Sequence, residues 1–262
     1  MALAGNTTEP GRTVTSRALS ILGAFDAEHP KLSLSRLSAR AGLSLATCHR
    51  LVAELAAWGA LARLSDGEYV IGHRIWRQGL LAPINSRLRE AASPFLGDLY
   101  GATLATSHIA VRDQTFALYL DCVSGHSSVR VLHTSGSRLP LHTTAVGKVL
   151  LAYAPPAVQA AVLRHLTRIT RYTIVQPGRL MEQLKEVRTN SYASTCEEMV
   201  LGSYSLAVPV LVEGGVVAAI GVVVADVNRF RQRDRLLAEL RKQALGIGRD
   251  VELRSLASAR AV

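Results

Sequence analysis

Ser44, Thr47, His49 and Arg50 lie close together within residues 44–50. They offer two hydroxyls, an imidazole and a guanidinium, groups that exchange hydrogen bonds with nucleobase edges and phosphates. An arginine can grip guanine or a phosphate through two parallel bonds. Something must hold these side chains on one face. Cys48, Leu51, Val52 and Leu55 recur at helical spacing, so the polar residues share the rest of that helix. Ser44 suits its N-cap, and that is its first role. Upstream, Leu34, Leu37 and Ala41 mark a shorter helix that Gly42 ends. Two short helices joined through a glycine describe a helix-turn-helix, whose second helix meets the major groove at its start. Next come a short apolar run (Leu61 to Leu64), the turn Ser65 to Gly67, and a second run (Tyr69 to Ile71). Asp-Gly between such runs signals a hairpin, which completes a winged helix. A helical hairpin and a surface turn with no partner is the bland alternative. The order of the three elements favours double-stranded DNA.

The rest of the composition sets limits. The chain has 262 residues, enough for two domains, and 48% of them are apolar. Formal net charge is +10 and the sequence pI about 10.1, a balance that suits a polyanion. Residues 11–80 hold nine Lys/Arg (Arg12, Arg17, Lys31, Arg36, Arg40, Arg50, Arg63, Arg74 and Arg77) against five Asp/Glu, so the local excess is modest. Arg17, Arg36 and Arg63 are candidate phosphate contacts, weighed equally against solvated surface charges. Cys48, Cys122 and Cys196 lie far apart, without zinc-ligand spacing or a disulfide framework. Free thiols in a reducing cytoplasm are expected. No apolar run is long enough to span a bilayer, and the first residues lack an apolar signal core. A cytoplasmic protein with no membrane partner is expected.

Along the chain, residues 1–11 read as a disordered N-terminus and 12–73 as the winged helix. Its first helix, "VTSRALSILGAFDA", takes Thr15 or Ser16 as cap. From His73 to Leu104 the pattern is helical with a break near Pro83; residues 74–86 form a linker helix and 87–255 a second domain. There, Ser107 to Asp113, Thr115 to Val123 and Ser128 to Thr134 read as strands. Helices follow over 144–155, from Pro156, and from about Arg179 to Asn190. Strands at 205–212 and 215–226 should occupy the centre of the sheet, and an amphipathic helix (about 229–253) closes the chain. Helices on a mainly antiparallel sheet make an α+β domain able to hold a small molecule.

The segments "RALSIL", "LSLSRLSARAGLSLATCHRLVAEL", "DGEYVIG", "GSRLPLHTTAVGKVLLA", "NSYASTCEE" and "SLAVPV" occur in that order. In this the chain resembles the IclR family of bacterial transcriptional regulators over about Thr13 to Leu253. The resemblance implies a winged helix, a linker helix and a GAF-like effector-binding domain. It also implies dimers or dimers of dimers on palindromic operator DNA, here expected to repress a catabolic or metabolic operon. Leu45 and Ala46 stand where relatives often have Lys-Ser, which removes a phosphate donor. Family pocket positions carried onto this chain are Ala145, Val146, Thr195, Ser205, Gly221 and Val223, with Val131 counted among them. An Asp, a Cys and two serines of that pocket are absent here. Two hydroxyls remain, on Thr195 and Ser205. A small, highly charged effector would leave carboxylate oxygens unpaired; a larger or more apolar organic acid fits better. "SLAVPV" is similar to the branch that regulates aromatic-acid pathways. Packing of Gly221 and Val223 in a core strand is the competing reading.

Other residue patterns carry less. His108, His133 and His142 fall near the expected cavity rim but lack ligand spacing, so no metal is expected. The Gly-Lys at 147–148 lacks the rest of a phosphate-binding loop. No nucleophile elbow is present, and adjacent Glu197 and Glu198 would face opposite sides of a strand. Neither enzymatic activity nor a cofactor is expected. The alternative from another class is a redox-sensing or catalytic GAF-like protein using Cys122 or Cys196.

Overall fold

The computed structural model describes residues 13–26, 28–79, 86–125 and 134–259. The chain divides into two units, Met1–Ile84 and Asn85–Val262.

The first unit contains α1 (Val14–Leu22), α2 (Leu34–Ala41), α3 (Leu45–Trp58), β1 (Leu61–Arg63), β2 (Tyr69–Ile71) and α4 (His73–Gly79). Thr13 caps α1, accepting from the Ser16 amide at 3.1 Å, so the cap lies upstream of the two residues expected for it. Ser33 caps α2, and Gly42 ends it at φ 63°. That left-handed conformation strains a residue with a Cβ and explains why glycine sits between the helices. Ile21, Leu37, Cys48, Leu51 and Leu61 meet in one core, so each helix buries the stripe that its spacing predicts. β1 and β2 pair antiparallel, with Leu61 opposite Ile71. Their turn is Ser65 to Gly67 as expected, closed by the Leu64 amide donating to the Glu68 carbonyl at 2.8 Å.

The second unit contains α5 (Ser86–Thr103), β3 (Thr106–Asp113), β4 (Phe116–Val123), β5 (Arg138–Pro140), α6 (Ala145–Ala152), α7 (Pro156–Arg164) and α8 (Pro177–Asn190), followed by β6 (Ala193–Cys196), β7 (Tyr204–Val212), β8 (Gly215–Val224), α9 (Val227–Arg231) and α10 (Arg233–Ala259). One antiparallel sheet runs β5-β4-β3-β8-β7-β6. β8 is central as expected, but β7 lies one strand from the edge. The short strands β5 and β6 carry too few apolar residues to announce themselves. The third expected strand, 128–134, falls outside the described residues except for Thr134. The closing helix is two helices, and α8 begins at Pro177 rather than about Arg179, with proline at a position that needs no amide donor.

The two faces of the sheet differ. Leu206, Val208, Val210, Ile220, Val222 and Val224 pack on one side with residues of α5 and α10. Ala110, Ala193, Ala207 and Ala219 pack on the other with Leu141, Val146 and Val149 of the α6 region. Strand alternation thus sorts large aliphatics to one layer and small residues to the other.

Candidate nucleic-acid interface and ligand-facing sheet

The start of α3 is built by its cap. The Ser44 hydroxyl accepts from the Thr47 amide at 3.4 Å and donates to the Thr47 hydroxyl at 2.9 Å. Burial of Cys48, Leu51 and Val52 then turns His49 and Arg50 outward, where both are exposed. The Arg50 guanidinium reaches Glu54 at 3.2 Å, in a pair more than half exposed on both sides. Such a pair holds an arginine loosely, so the guanidinium can turn to another acceptor. Arg36 on α2 and Arg63 on β1 are exposed, and Arg17 on α1 is half-buried. Arg63 lies over the Tyr69 ring, 5.8 Å from its centroid. Arg40 has a structural task instead, bonding the Ala24 carbonyl at 2.7 Å and the Asp26 carboxylate at 2.5 Å. Leu45 went unremarked as a contact in the sequence, yet it is 55% exposed in the first turn of α3. An exposed leucine beside a capped helix start is the signal that could have found it.

On the small-residue face, strand register brings distant residues together. Thr195 pairs with Ser205, Ser205 with Val223, and Val223 with Thr106. Directly paired residues share a face, so these four form one row across β6, β7, β8 and β3. The neighbouring row is Ala193, Ala207, Gly221, His108 and Cys122. A Cβ placed on Gly221 would come within 2.9 Å of His108 Nε2, 2.9 Å of the Leu206 carbonyl oxygen and 3.0 Å of Val146 Cγ1. Glycine is therefore required there by close approach. Ala145 and Val146 open α6, with Thr144 as N-cap accepting from the Gly147 amide at 3.0 Å. Six of the seven carried-over positions thus lie on this face or on the helix that covers it; Val131 lies outside the described residues. Thr106 and His108 were missed as members of the set. Both are buried, and Thr106 Oγ1 has no hydrogen-bond partner among the described residues. His108 is a buried member of the sheet rather than a residue of its rim, and the Tyr119 ring lies 5.2 Å from it. His133 is outside the described residues.

A clasp of polar groups holds the edge of this face. Lys148 on α6 is 1% exposed; its Nζ donates to Glu198 Oε1 at 2.5 Å and to Gln183 Oε1 at 2.8 Å. Burial pushes the lysine down and the glutamate up from their ordinary values, and the attraction between them opposes both shifts. The Thr170 and Thr173 hydroxyls donate to the Glu197 and Glu198 carbonyls, each at 2.7 Å. His142 Nε2 meets the Thr167 carbonyl at 3.0 Å, and burial is the first cause holding this imidazole below its usual range. Glu197 and Glu198 lie beyond the strand, in a turn with Glu197 at φ 56°, so the expectation of opposite strand faces does not apply. No group of three or more metal-ligating side chains is found among the described residues.

The cysteines are all free. Burial, then the nearby Asp121 charge, pushes the Cys122 thiol up to about 11. Burial also raises the exposed Cys196 thiol. Both directions disfavour the reactive thiolate. No helix among the described residues is long and apolar enough to cross a membrane.

Comparison with known proteins agrees with this architecture. Residues 14–65 match the IclR helix-turn-helix domain, and residues 84–249 match the bacterial transcriptional regulator IclR C-terminal domain. The chain is 31% identical to the HTH-type transcriptional regulator XynR of Escherichia coli, over 87% of this chain and 90% of that protein. It is 30% identical to the p-hydroxybenzoate hydroxylase transcriptional activator of Acinetobacter baylyi, over 87% and 88%. Among solved structures, an IclR homolog of Microbacterium hydrocarbonoxydans complexed with 4-hydroxybenzoate superposes with TM-score 0.81 at 28% identity, covering 92% of this chain and all of that one. With both of its domains matched, this chain belongs to the IclR family of DNA-binding bacterial transcriptional regulators.

Proposed function

We propose that this protein is a ligand-responsive repressor of a catabolic operon, released from or tightened on its operator by a small organic acid. The observation that carries the reading is the first half of α3, where a capped helix start presents Thr47, His49 and Arg50 on the face away from the core. Arg50 reads guanine or clamps a phosphate, and Leu45 offers an apolar contact to a thymine methyl. Arg17, Arg36 and Arg63 supply salt-dependent phosphate contacts, and Ser44 acts through the cap. A homo-oligomer in the cytoplasm matches two such helices to a palindrome, because two-fold protein symmetry calls for two-fold symmetry in the site. The effector binds against Ala145, Val146, Thr195, Ser205, Gly221 and Val223, and Val131, outside the described residues, is proposed as a further contact. A relative complexed with 4-hydroxybenzoate supports an aromatic acid as the class. Regulation by ligand is preferred to thiol chemistry because both candidate thiols are pushed away from ionisation.

Binding shifts the operator equilibrium only if the effector has different affinities for the two conformations of the protein. The test is footprinting of the purified protein on its own upstream DNA at fixed salt, with and without aromatic and aliphatic acids. A protected palindrome that one acid releases or tightens is the expected result. Absence of protection under every condition refutes it.

A further inference from the structure

The outward face of α3 is poor in hydrogen-bonding groups at the end that should meet DNA. Cys48, Leu51 and Val52 are buried. At about 100° of turn per residue, the side away from them carries Leu45, Ala46, His49, Arg50, Ala53 and Ala57. All six are exposed. Four are apolar, and the two polar ones, His49 and Arg50, lie in the second turn. The first turn presents Leu45 and Ala46. The Ser44 hydroxyl just before them is engaged with the Thr47 amide and hydroxyl. Leu45 is 55% exposed and takes no part in the core of Ile21, Leu37, Cys48 and Leu51. A single exposed leucine is ordinary on a protein surface. Its place is what informs here, because the start of this helix is the part of a helix-turn-helix that reaches base edges.

In the major groove thymine shows a C5 methyl beside an O4 acceptor, whereas cytosine shows an N4 donor and no methyl. The side chains of Leu45 and Ala46 have no donor or acceptor, so they cannot tell O4 from N4 by pairing. They can tell apolar surface from its absence. A methyl group packed on leucine removes apolar area from water on both sides. Over unmethylated cytosine the leucine would meet no such group and would strip water from an amine without replacing its hydrogen bond. 5-Methylcytosine carries its methyl on the same ring carbon as thymine. To a first turn built from leucine and alanine, the two bases therefore present the same feature.

We propose that the first turn of α3 discriminates pyrimidines by the C5 methyl group alone, with Leu45 as the specificity-determining residue, so that operator binding responds to cytosine methylation at the contacted position. This rests on the reading of α3 as the recognition helix. It adds which bases that turn accepts as equivalent and which it rejects: thymine and 5-methylcytosine are accepted, uracil and cytosine rejected.

The experiment starts with selection of duplexes from a random library by the purified full-length protein at fixed salt, without and with the acids used for footprinting. Each thymine of the enriched half-site is then replaced singly by deoxyuridine, which deletes the methyl and keeps O4 and the pairing. At one position per half-site affinity should fall about fourfold, the worth of one buried carbon group. At that position a guanine pair with 5-methylcytosine should bind like thymine, and one with cytosine should bind like uracil. Leu45→Ala keeps the Ser44 cap and good helix propensity, and it should bind the thymine and uracil duplexes equally. The assignment is overturned if every uracil duplex binds like its thymine parent, or if the enriched site holds no thymine. It is also overturned if 5-methylcytosine binds like cytosine, or if the uracil deficit persists undiminished in Leu45→Ala. Each of these results leaves α3 standing as the recognition helix. Selection that enriches no sequence under any condition refutes that reading itself, and this assignment with it.

Discussion

The start of α3 and the α6-facing side of the sheet both gather polar side chains, but they do so in opposite environments. On α3, His49 and Arg50 are exposed, and the nearest charged partner of Arg50 is itself exposed. Water supports those groups until a partner arrives. On the sheet Thr106, His108 and Thr195 are buried, as are Lys148 and Glu198 at its edge. There each group needs a bond within the protein or from a ligand, because low dielectric penalises an unpaired polar atom. A surface reader can therefore change residue by residue, whereas the buried site changes as a set. Gly221 beside His108 is an example, since neither can be enlarged without moving the other.

The largest effect expected from this contrast comes at the clasp. Lys148→Met strands Glu198 in the interior and should destabilise the second unit by about 3–5 kcal/mol, read as a lower denaturant midpoint. The glutamate's folded value is already raised by burial and would rise further without its cation. A raised folded value adds stability below the unfolded value and loses it as pH climbs through the folded one. The deficit of Lys148→Met should therefore shrink on acidification from neutral pH; a deficit that grows would mean the charge is not what the variant strands. On the exposed side, Arg50→Ala should leave stability within about 0.5 kcal/mol of wild type. It should weaken operator binding by about 1–3 kcal/mol if the guanidinium reads a base. Comparison of operator and non-specific DNA checks this, since equal weakening on both would make Arg50 a phosphate contact. Smallest is Ser44→Ala, which removes a cap and should cost about 1 kcal/mol of stability in the first unit. Its preference among operator variants should persist, and a changed preference would move Ser44 from cap to reader.

The helix-turn-helix was legible because its signals are local. Leu37 and Ala41, the stop at Gly42, the cap at Ser44 and the stripe from Cys48 to Val52 all fall within a short stretch. The error there was small, a cap assigned downstream of Thr13. In the second unit the long apolar strands β7 and β8 were legible for the same reason, but β5 and β6 were not. Ala193–Cys196 is short and half polar, and only pairing with β7 makes it a strand. The residues of the α6-facing side differ in how far local sequence announces them. Ala145, Val146, Thr195 and Ser205 sit in recognisable motifs, whereas Thr106 and His108 join them through register with β8.

By itself the sequence determined the two-part organisation, the winged helix and the family, since periodicity, caps and motif order are properties of neighbours along the chain. Only the tertiary structure decided which polar residues share a buried face, that Lys148 is paired with Glu198, and that an imidazole occupies the space beside Gly221. The last two relations join residues fifty or more positions apart. They arise from strand order and packing, which no local pattern of residue types encodes.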